Sequence, residues 1–416
     1  MTLILSRQKN MKKYLEIIKP FFLIVMFMLL KHSIFAQVTY TFTGNGYWTL
    51  ASNWSNNTVP PSSLSGDSII IINPVAGGSC ILNIPQTVSQ EANLVITQGA
   101  NLIIQGDLII NAPEVYVGGY ESNGSHMVAK IWKNGIASSL SNGLYDAKIA
   151  DLFNSGTDVY AAGYDGGPYR NAKIWKNGIG SQLTSITTGA AASSVYVSGT
   201  EVYAGGWISP GGGTNATIWK NALKTTLSTN QSSVESIFVS GTDVYAAGSE
   251  SNATTTVPTL WKNGVAIPLP YTVYGRAKSV YVLGTDVYVA GANQNGTNDV
   301  ATIWKNGIAI PLTDGSNSAS AESIYVSGTD VYVVGSETNN GPGTFAKLWK
   351  NGIPTSLTDG ITNASAESVF VLGNNVYIAG WEYDDIHTFA RVWKNGILFW
   401  STDGSYNAQA TSIFVK

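Results

Sequence analysis

The residues of this sequence best suited to hold a ligand are aromatic side chains at equivalent repeat positions, three of them directly followed by an acid. The aromatic residues are Tyr120, Tyr164, Trp207 and Trp381, and the acids are Glu121, Asp165 and Glu382. Aromatic faces stack on the C–H faces of sugar rings, and carboxylates accept hydrogen bonds from sugar hydroxyls. The pattern predicts a glycan-binding surface; packing of these rings beneath their own loops is the alternative.

The same acids are candidates for hydrolytic chemistry, because glycoside hydrolysis uses two carboxylates that flank the bond to be broken. Glu121 and Glu382 would form such a pair if they approach each other. Acids occur at this position in five of the seven units, which is typical of a repeat feature rather than of one asymmetric catalytic pair. We therefore predict non-catalytic binding of a glycan or a protein, with a polysaccharide hydrolase or lyase as the alternative.

Few residues remain for other kinds of catalysis. After residue 36 the sequence has two histidines, His126 and His387, and one cysteine, Cys80, whose apolar context predicts a small buried side chain. No Gly-x-Ser-x-Gly motif marks a hydrolase serine. The histidines, with Asp384 and Asp385 nearby, show no fixed metal-ligand spacing. We predict neither a metal nor a cofactor.

The candidate positions belong to a repeat with a spacing of 42 to 45 residues. One landmark is the tryptophan of a Trp-Lys-Asn-Gly tetrapeptide, or of its one variant, at Trp132, Trp175, Trp219, Trp261, Trp304, Trp349 and Trp393. The second landmark is the tyrosine of a Val-Tyr run, at Tyr116, Tyr160, Tyr203, Tyr245, Tyr288, Tyr332 and Tyr377. Two landmarks in phase over seven copies indicate seven structural units.

Each unit is predicted to contain four short β-strands, labelled a to d in chain order. In the sixth unit these are residues 323–327, 330–335, 345–350 and 353–357. Asn-Gly between strands c and d is a strong hairpin signal because both residues need a positive φ. The third unit has Asn221-Ala222 instead, so we expect a strained or different turn there. Continuously apolar runs in strands b and c indicate burial on both faces, as in propeller blades.

Ring closure follows from the strand count. The first unit begins at strand b, with Val115, and the missing strand a appears at the other end of the repeat array, around Ile413. A ring that shares one blade between its ends leaves no exposed sheet edge to cap. The sequence therefore predicts an all-β, seven-bladed β-propeller of four-stranded blades over residues 113–416.

In such a ring the a–b and c–d turns lie on one face, the turn face, and the b–c loops and d–a connections on the other, the loop face. The turn face is uniform, and its seven lysines are predicted to be solvated turn charges. The loop face varies, and binding residues concentrate on such loops. Strand a of each blade is expected to place one polar residue at the mouth of the central channel, and these residues are predicted to line a water-filled channel. They are Asp151, Ser194, Ser236, Ser279, Ser323, Ser368 and Ser412. Glu235, Glu322 and Glu367 precede three of these residues.

Residues 37–112 differ from the repeat, with short apolar runs such as 69–72, 93–96 and 101–104 close together. This spacing predicts a small β-solenoid-like domain, interpreted as a folded spacer. Residues 1–36 match a signal peptide, with Lys12, Lys13 and Lys19 before an apolar run and cleavage after Ala36. The apolar run is too short to span a membrane.

Removal of residues 1–36 takes six of the 23 Lys and Arg and one of the 26 Asp and Glu, which leaves a net charge of −8. An acidic chain disfavours nucleic acid as a partner, because phosphate binding needs a basic surface. We expect an exported monomer that is secreted, periplasmic or held at the cell surface.

The layout of the repeat resembles kelch-type propellers, in which a short strand a is followed by a glycine-rich end of strand b and an aromatic residue in a later strand. The Gly-Gly pair of that family appears only at 118–119 and 205–206. Residues 114–416 also resemble exported Trp-Lys-Asn-Gly repeat proteins of Bacteroidota-type bacteria. Both resemblances imply a propeller, and neither implies an activity.

Overall fold

The computed structural model describes residues 38–64, 68–88, 92–110, 113–167, 169–185, 188–252, 254–339 and 341–416. The predicted signal peptide, residues 1–36, lies outside this part of the chain. The chain divides into two compact units, Met1–Ala112 and Pro113–Lys416. Among the residues described, no helix is both long and apolar enough to cross a membrane.

The first unit is a small three-sided β-solenoid. Its strands are β1 (Thr39–Phe42), β2 (Gly46–Tyr47), β3 (Ser63–Leu64), β4 (Ile69–Ile72), β5 (Ser79–Leu82), β6 (Gln86–Val88), β7 (Asn93–Ile96), β8 (Asn101–Ile104) and β9 (Leu108–Ile110), with a 3₁₀ helix at Ala51–Asn53. They form three parallel sheets, β1–β4–β7, β2–β5–β8 and β3–β6–β9. Each sheet takes one strand from each of three successive turns, which confirms the predicted solenoid.

Large side chains fill the first turn of the solenoid. The rings of Trp48 and Trp54 are 4.8 Å apart and nearly perpendicular, and Phe42 packs against Trp54 at 5.3 Å. Cys80 is buried in the same core, as predicted, and this burial raises the pKa of its thiol to about 12. The thiol is therefore neutral near pH 7 and serves as a small apolar side chain.

The second unit is a seven-bladed β-propeller of antiparallel four-stranded sheets. Blades one to four contain β10 (Val115–Ser122), β11 (Met127–Lys133), β12 (Ile136–Ser139), β13 (Ala147–Ser155), β14 (Asp158–Asp165), β15 (Asn171–Lys176), β16 (Ile179–Gln182), β17 (Gly189–Ser198), β18 (Glu201–Ser209), β19 (Asn215–Lys220), β20 (Leu223–Thr226), β21 (Ser232–Ser240), β22 (Asp243–Ser251), β23 (Thr256–Lys262) and β24 (Val265–Pro268).

Blades five to seven contain β25 (Gly275–Leu283), β26 (Asp286–Gln294), β27 (Asp299–Lys305), β28 (Ile308–Pro311), β29 (Ala319–Ser327), β30 (Asp330–Thr338), β31 (Thr344–Lys350), β32 (Ile353–Ser356), β33 (Ala364–Leu372), β34 (Asn375–Tyr383), β35 (Thr388–Lys394) and β36 (Ile397–Ser401). The last strand, β37 (Ala408–Val415), returns to the first blade, whose order is β37–β10–β11–β12.

The ring is closed by hydrogen bonding between β37 and β10, as the strand count predicted. Val115 pairs with Val415 and Val117 with Ile413 in an antiparallel register. The backbone N–H of Glu114 also donates to the carbonyl of Lys416 at 2.7 Å. β37 therefore occupies the strand-a position that the first unit lacks.

The repeated tryptophans form the cores between blades. Each is nearly inaccessible to solvent and packs against strand b of the preceding blade, as Trp349 does against Tyr288 and Ala290. Trp132 of the first blade packs in the same way against Tyr377 of the seventh, so this packing also continues across the seam. Burial of such large side chains on both sides of every blade is the main source of stability of the ring.

The c–d turns have the positive φ values that the Asn-Gly pattern predicts. In the sixth blade φ is 52° at Asn351 and 80° at Gly352. The third blade makes the same turn with Asn221 and Ala222, and Ala222 has a φ of 66°. A side chain with a Cβ atom is strained in this left-handed region, so the expectation of a strained third turn is confirmed.

Candidate functional site

The turn face is built from one network that repeats around the ring. In all seven blades the lysine amine of Trp-Lys-Asn-Gly lies 5.0–5.4 Å from the centroid of the strand-b tyrosine ring. The next asparagine accepts a hydrogen bond at 2.8–2.9 Å from the backbone N–H of a strand-b valine, again in all seven. The repeated tetrapeptide is therefore explained by the fold.

The turn-face lysines are paired with acids rather than isolated in solvent. In blades one to six the amine also forms an ion pair with the acid at the start of strand b or directly before it, as between Lys305 and Asp286 at 2.8 Å. This contact lowers the pKa of Asp286 and raises that of Lys305. The seventh blade has Asn375 in place of the acid. Because these charges are matched within their blades, the turn face offers little free charge to a ligand.

The loop face, by contrast, opens into a cavity of about 360 Å³ on the channel axis, lined by residues from all seven blades. Its walls come from a β-bulge at the same place in every strand a. A bulge inserts an extra residue and redirects its side chain. The bulged residues all line the cavity: Thr411, Ala150, Ser193, Glu235, Lys278, Glu322 and Glu367.

The residue after each bulge links its blade to the next. Its side-chain oxygen accepts a hydrogen bond from a backbone N–H in strand a of the following blade, at 2.9–3.4 Å, at all seven junctions. These residues are the polar set that the sequence placed at the channel mouth. Asp151 stands where the other blades have serine, and it also accepts hydrogen bonds from Ser194 and Ser412. The set therefore holds the ring together as well as lining the channel.

Below this polar ring, on the turn-face side, aromatic side chains of strand a surround the channel. Successive ring centroids are 4.6–5.2 Å apart along the series Phe153, Tyr196, Phe238, Tyr281, Tyr325 and Phe370. None of these six side chains is among the residues that line the cavity.

The acids of the cavity wall are held by hydrogen bonds. Glu235 accepts from the hydroxyl of Ser233 at 2.6 Å. Glu367 accepts from the indole N–H of Trp381 at 2.9 Å. Burial and the nearby charge of Glu322 raise the pKa of Glu367. Glu322 in turn forms an ion pair with Lys278 at 3.4 Å, and this contact raises the pKa of the lysine.

Two further cations stand on the second blade. Lys148 pairs with Tyr164 in the strand register, and its amine lies 5.8 Å from the ring centroid of Tyr120. The guanidinium of Arg170 lies 4.7 Å from the ring centroid of Tyr164. Burial lowers the pKa of Lys148, the opposite of the shift at Lys278.

Two of the four predicted aromatic residues line this cavity, and the other two lie against residues of its wall. Tyr164 and Trp207 line it directly, Trp381 reaches it through Glu367, and Tyr120 lies beside Lys148. They belong to blades seven, one, two and three, which are neighbours because the ring is closed. Tyr164 is buried and the other three are partly buried, so their rings also pack against the protein.

The three predicted acids lie elsewhere. Side chains alternate between the two faces of a strand, so each acid points away from the aromatic residue before it. Glu121 forms an ion pair with Lys130. In the same way Asp165 pairs with Lys173 at 2.7 Å, and Glu382 pairs with Arg391 at 3.1 Å. None of the three lines the axial cavity, whose carboxylates come from the bulged positions instead.

A second cavity of about 310 Å³ lies between the fourth and fifth blades and shares Glu235 and Lys278 with the first. Its wall includes Arg276 and Ser249. Ser249 is one of the small residues that replace the aromatic side chains in blades four to six. The loop face is therefore asymmetric, with aromatic walls on one side and open space on the other.

The histidines contribute to neither cavity. The Nδ1 atom of His126 is 3.5 Å from a carboxylate oxygen of Asp146. The backbone N–H of His387 donates to Asp384 at 2.7 Å. In the described ranges of the chain, no group of three or more His, Cys, Asp or Glu side chains is arranged to hold a metal ion.

In comparisons with known proteins, no family model and no curated protein matches this sequence. The resemblance to kelch-type propellers and to exported Trp-Lys-Asn-Gly repeat proteins therefore stays a prediction from the sequence.

Proposed function

We propose that this protein is an exported, monomeric and non-catalytic binding protein that holds a glycan in the axial cavity of the loop face. One observation carries the proposal: two aromatic side chains, Tyr164 and Trp207, line a cavity whose wall also carries three glutamates. Trp381 and Tyr120 lie against residues of this wall. Cavities of about 300–1,000 Å³ are typical of small-ligand sites. Aromatic rings can stack on a sugar, and Glu235, Glu322 and Glu367 can accept hydrogen bonds from its hydroxyls.

A glycan array screened with the chain from residue 37 onward tests the proposal. We expect binding to at least one glycan, and we expect Trp207→Ala with Trp381→Ala to weaken it about tenfold, because two aromatic contacts are lost. Phe399→Ala is the matched control, since Phe399 is an exposed aromatic residue on the outermost strand of the seventh blade. Equal binding by the double variant and the parent, or no glycan bound by the parent, would contradict the proposal.

Export is supported by the sequence of residues 1–36. Expression in a bacterium that secretes its own propeller proteins, followed by N-terminal sequencing of the extracytoplasmic product, should give Gln37 as the first residue. A product that keeps residues 1–36 would contradict the predicted cleavage after Ala36.

A second candidate function, polysaccharide hydrolysis, is favoured by one feature of the cavity. Burial and the charge of Glu322 raise the pKa of Glu367, and a general acid in glycoside hydrolysis needs such a shift. Glu322 and Glu367 would then be the two catalytic carboxylates. Glu121 and Glu382, the pair considered from the sequence, form ion pairs within their own blades instead. Release of reducing ends from a bound polysaccharide, abolished by Glu367→Gln, would establish hydrolysis in place of simple binding.

A further inference from the structure

The cations of the axial cavity differ in whether a carboxylate pairs with them. Lys278 is paired, with its amine 3.4 Å from Glu322. Lys148 and Arg170 line the same cavity, and neither forms an ion pair with any residue that the structure describes. Both flank Tyr164, so the unpaired positive charge of the cavity is concentrated on the second blade.

No carboxylate of the cavity, as the structure describes it, forms an ion pair with Lys148 or Arg170. Burial lowers the pKa of Lys148, and the charges of Glu367 and Glu235 oppose this effect. Glu235 is bonded to Ser233, Glu322 to Lys278, and Glu367 to Trp381. These three acids belong to blades four, six and seven, whereas Lys148 and Arg170 belong to blade two. Asp151 of blade two also lines the cavity, and it accepts hydrogen bonds from Ser194 and Ser412. The unpaired cations therefore lie on blade two, and the carboxylates of the cavity already have donors.

Lys148 is the more informative of the two cations, because it lies far enough inside the cavity for burial to lower the pKa of its amine. A buried ammonium group without a partner costs free energy, and a bound anion would offset that cost. Arg170 is exposed beside it, stacked on Tyr164, with its guanidinium available for a bidentate contact. Trp207 lines the same cavity, and Tyr120 lies beside Lys148.

We propose that the ligand of the axial cavity is an acidic glycan, whose uronic acid unit places its carboxylate against Lys148 and Arg170. This inference rests on the proposed glycan-binding function and specifies the class of sugar. The ring of that unit stacks on the aromatic side chains that line the cavity, Tyr164 and Trp207. Its hydroxyls donate to carboxylates of the other blades, Glu235 and Glu367 among them.

The three glutamates of the cavity argue for a single negative charge on the ligand unit. Glu235, Glu322 and Glu367 would repel a dianionic group such as a phosphate monoester, and Lys278 compensates for only one of them. A uronic acid carries one carboxylate together with several hydroxyl donors. The carboxylate can bind to Lys148 and Arg170, and the hydroxyls can donate to the glutamates. A neutral sugar would leave Lys148 without a partner.

The experiment compares acidic oligosaccharides with their neutral counterparts. The probes are oligomers of galacturonate, of alginate and of hyaluronan, each paired with the same oligomer after reduction of its carboxyl groups to alcohols. Binding to the chain from residue 37 onward is measured by isothermal titration calorimetry at low salt. We expect at least one acidic oligomer to bind about tenfold or more tightly than its reduced form, because a charge-assisted hydrogen bond is lost.

Variants locate the effect. Lys148→Met should remove the preference for the acidic form, and Lys148→Arg should retain part of it. Lys176→Met is the matched control, because Lys176 has the same charge in the same blade but lies on the turn face, paired with Asp158. Circular dichroism of each variant verifies the fold, and the comparison of oligomers in the parent chain needs no variant at all.

The outcomes separate this inference from the function on which it rests. Equal affinity for acidic and reduced oligomers, or an acid preference that survives Lys148→Met, overturns the uronic acid site while leaving glycan binding intact. If the double variant of Trp207 and Trp381 binds as the parent does, the cavity is not the site and both proposals fall. If the parent binds no acidic oligomer but does bind neutral glycans, the ligand class is wrong.

Discussion

The turn face and the loop face are built by the same seven units, yet they use their side chains in opposite ways. On the turn face every lysine lies over a tyrosine ring, six of the seven also pair with an acid, and the pattern changes little from blade to blade. On the loop face the bulged residue changes from threonine to alanine, serine, glutamate or lysine around the ring. The contacts that repeat in all seven blades maintain the scaffold. The bulged position varies from blade to blade, so it can form an asymmetric binding site.

The largest expected effect is that of removing the pairing of β37 with β10, which closes the ring. Deletion of residues 412–416 removes the buried side chains of Ile413, Phe414 and Val415 and leaves β10 with an unpaired edge. We expect loss of the folded propeller as a whole, measured by circular dichroism and size-exclusion chromatography. A truncated chain that stays folded and soluble would show that closure by β37 is dispensable.

Tryptophans on the scaffold and in the cavity should differ sharply in their contribution to stability. Trp349 is fully buried between blades, so Trp349→Ala should lower the free energy of unfolding by about 3–5 kcal/mol. Trp381 is partly exposed at the cavity, so Trp381→Ala should cost about 1 kcal/mol. Urea denaturation measures both. Similar losses in the two variants would contradict the division into scaffold and site.

The one irregular turn of the turn face offers a stabilising substitution. Ala222→Gly should raise the free energy of unfolding by about 1 kcal/mol, because it relieves the left-handed strain at φ 66°. The reciprocal change, Gly352→Ala at φ 80° in the sixth blade, should destabilise by a similar amount. Thermal denaturation of the pair checks the prediction, and an unstable Ala222→Gly variant would argue against it.

The smallest effect is a difference in how the two faces respond to pH. Lysines lower the folded-state pKa of Asp243 and Asp286, so their stabilisation is present above the ordinary carboxyl pKa and is lost as the pH falls through the lowered value. Glu367 has a raised pKa, so its effect has the opposite sign: it disfavours folding as the pH rises above the ordinary carboxyl range. The melting temperature is measured from pH 3 to pH 8.

Two variants separate these contributions. Asp286→Asn should flatten the fall in melting temperature at acid pH, and this difference should shrink in high salt because the pair is exposed. Glu367→Gln should flatten the change at higher pH. If both variants show the same dependence of melting temperature on pH as the parent, the predicted electrostatic difference between the two faces is wrong.

The sequence was sufficient for the features that repeat. The spacing of Trp-Lys-Asn-Gly predicted seven blades, the missing strand a predicted closure by the region of Ile413, and Ala222 predicted a strained turn. Each prediction depends on local chemistry that is the same in every unit, such as a hairpin turn or a buried ring. The aromatic residues of the loop face were found in the same way, as members of one position in the repeat.

The features that the sequence did not reveal depend on exact strand geometry. A bulge shifts the alternation of side chains by one residue, so Glu235 and Glu367 face the cavity. The sequence showed these acids next to the channel-mouth residues, but no pattern in it marks the bulge. Alternation in strand b turns Glu121 and Glu382 away from it. Arg170 reaches the site from beside Tyr164, through a stacking contact between side chains that no repeat position predicts.

The seam of the ring also bears on the order in which the propeller strands follow one another along the chain. Glu114 and Lys416 exchange backbone hydrogen bonds of 2.7 and 3.1 Å, so both ends of the propeller lie side by side on neighbouring strands. A short peptide can join them, and the chain can then be opened in any other loop. Such circular permutants would contain the same blades in a rotated order, so closure of the ring does not by itself require β10 to be the first strand of the propeller.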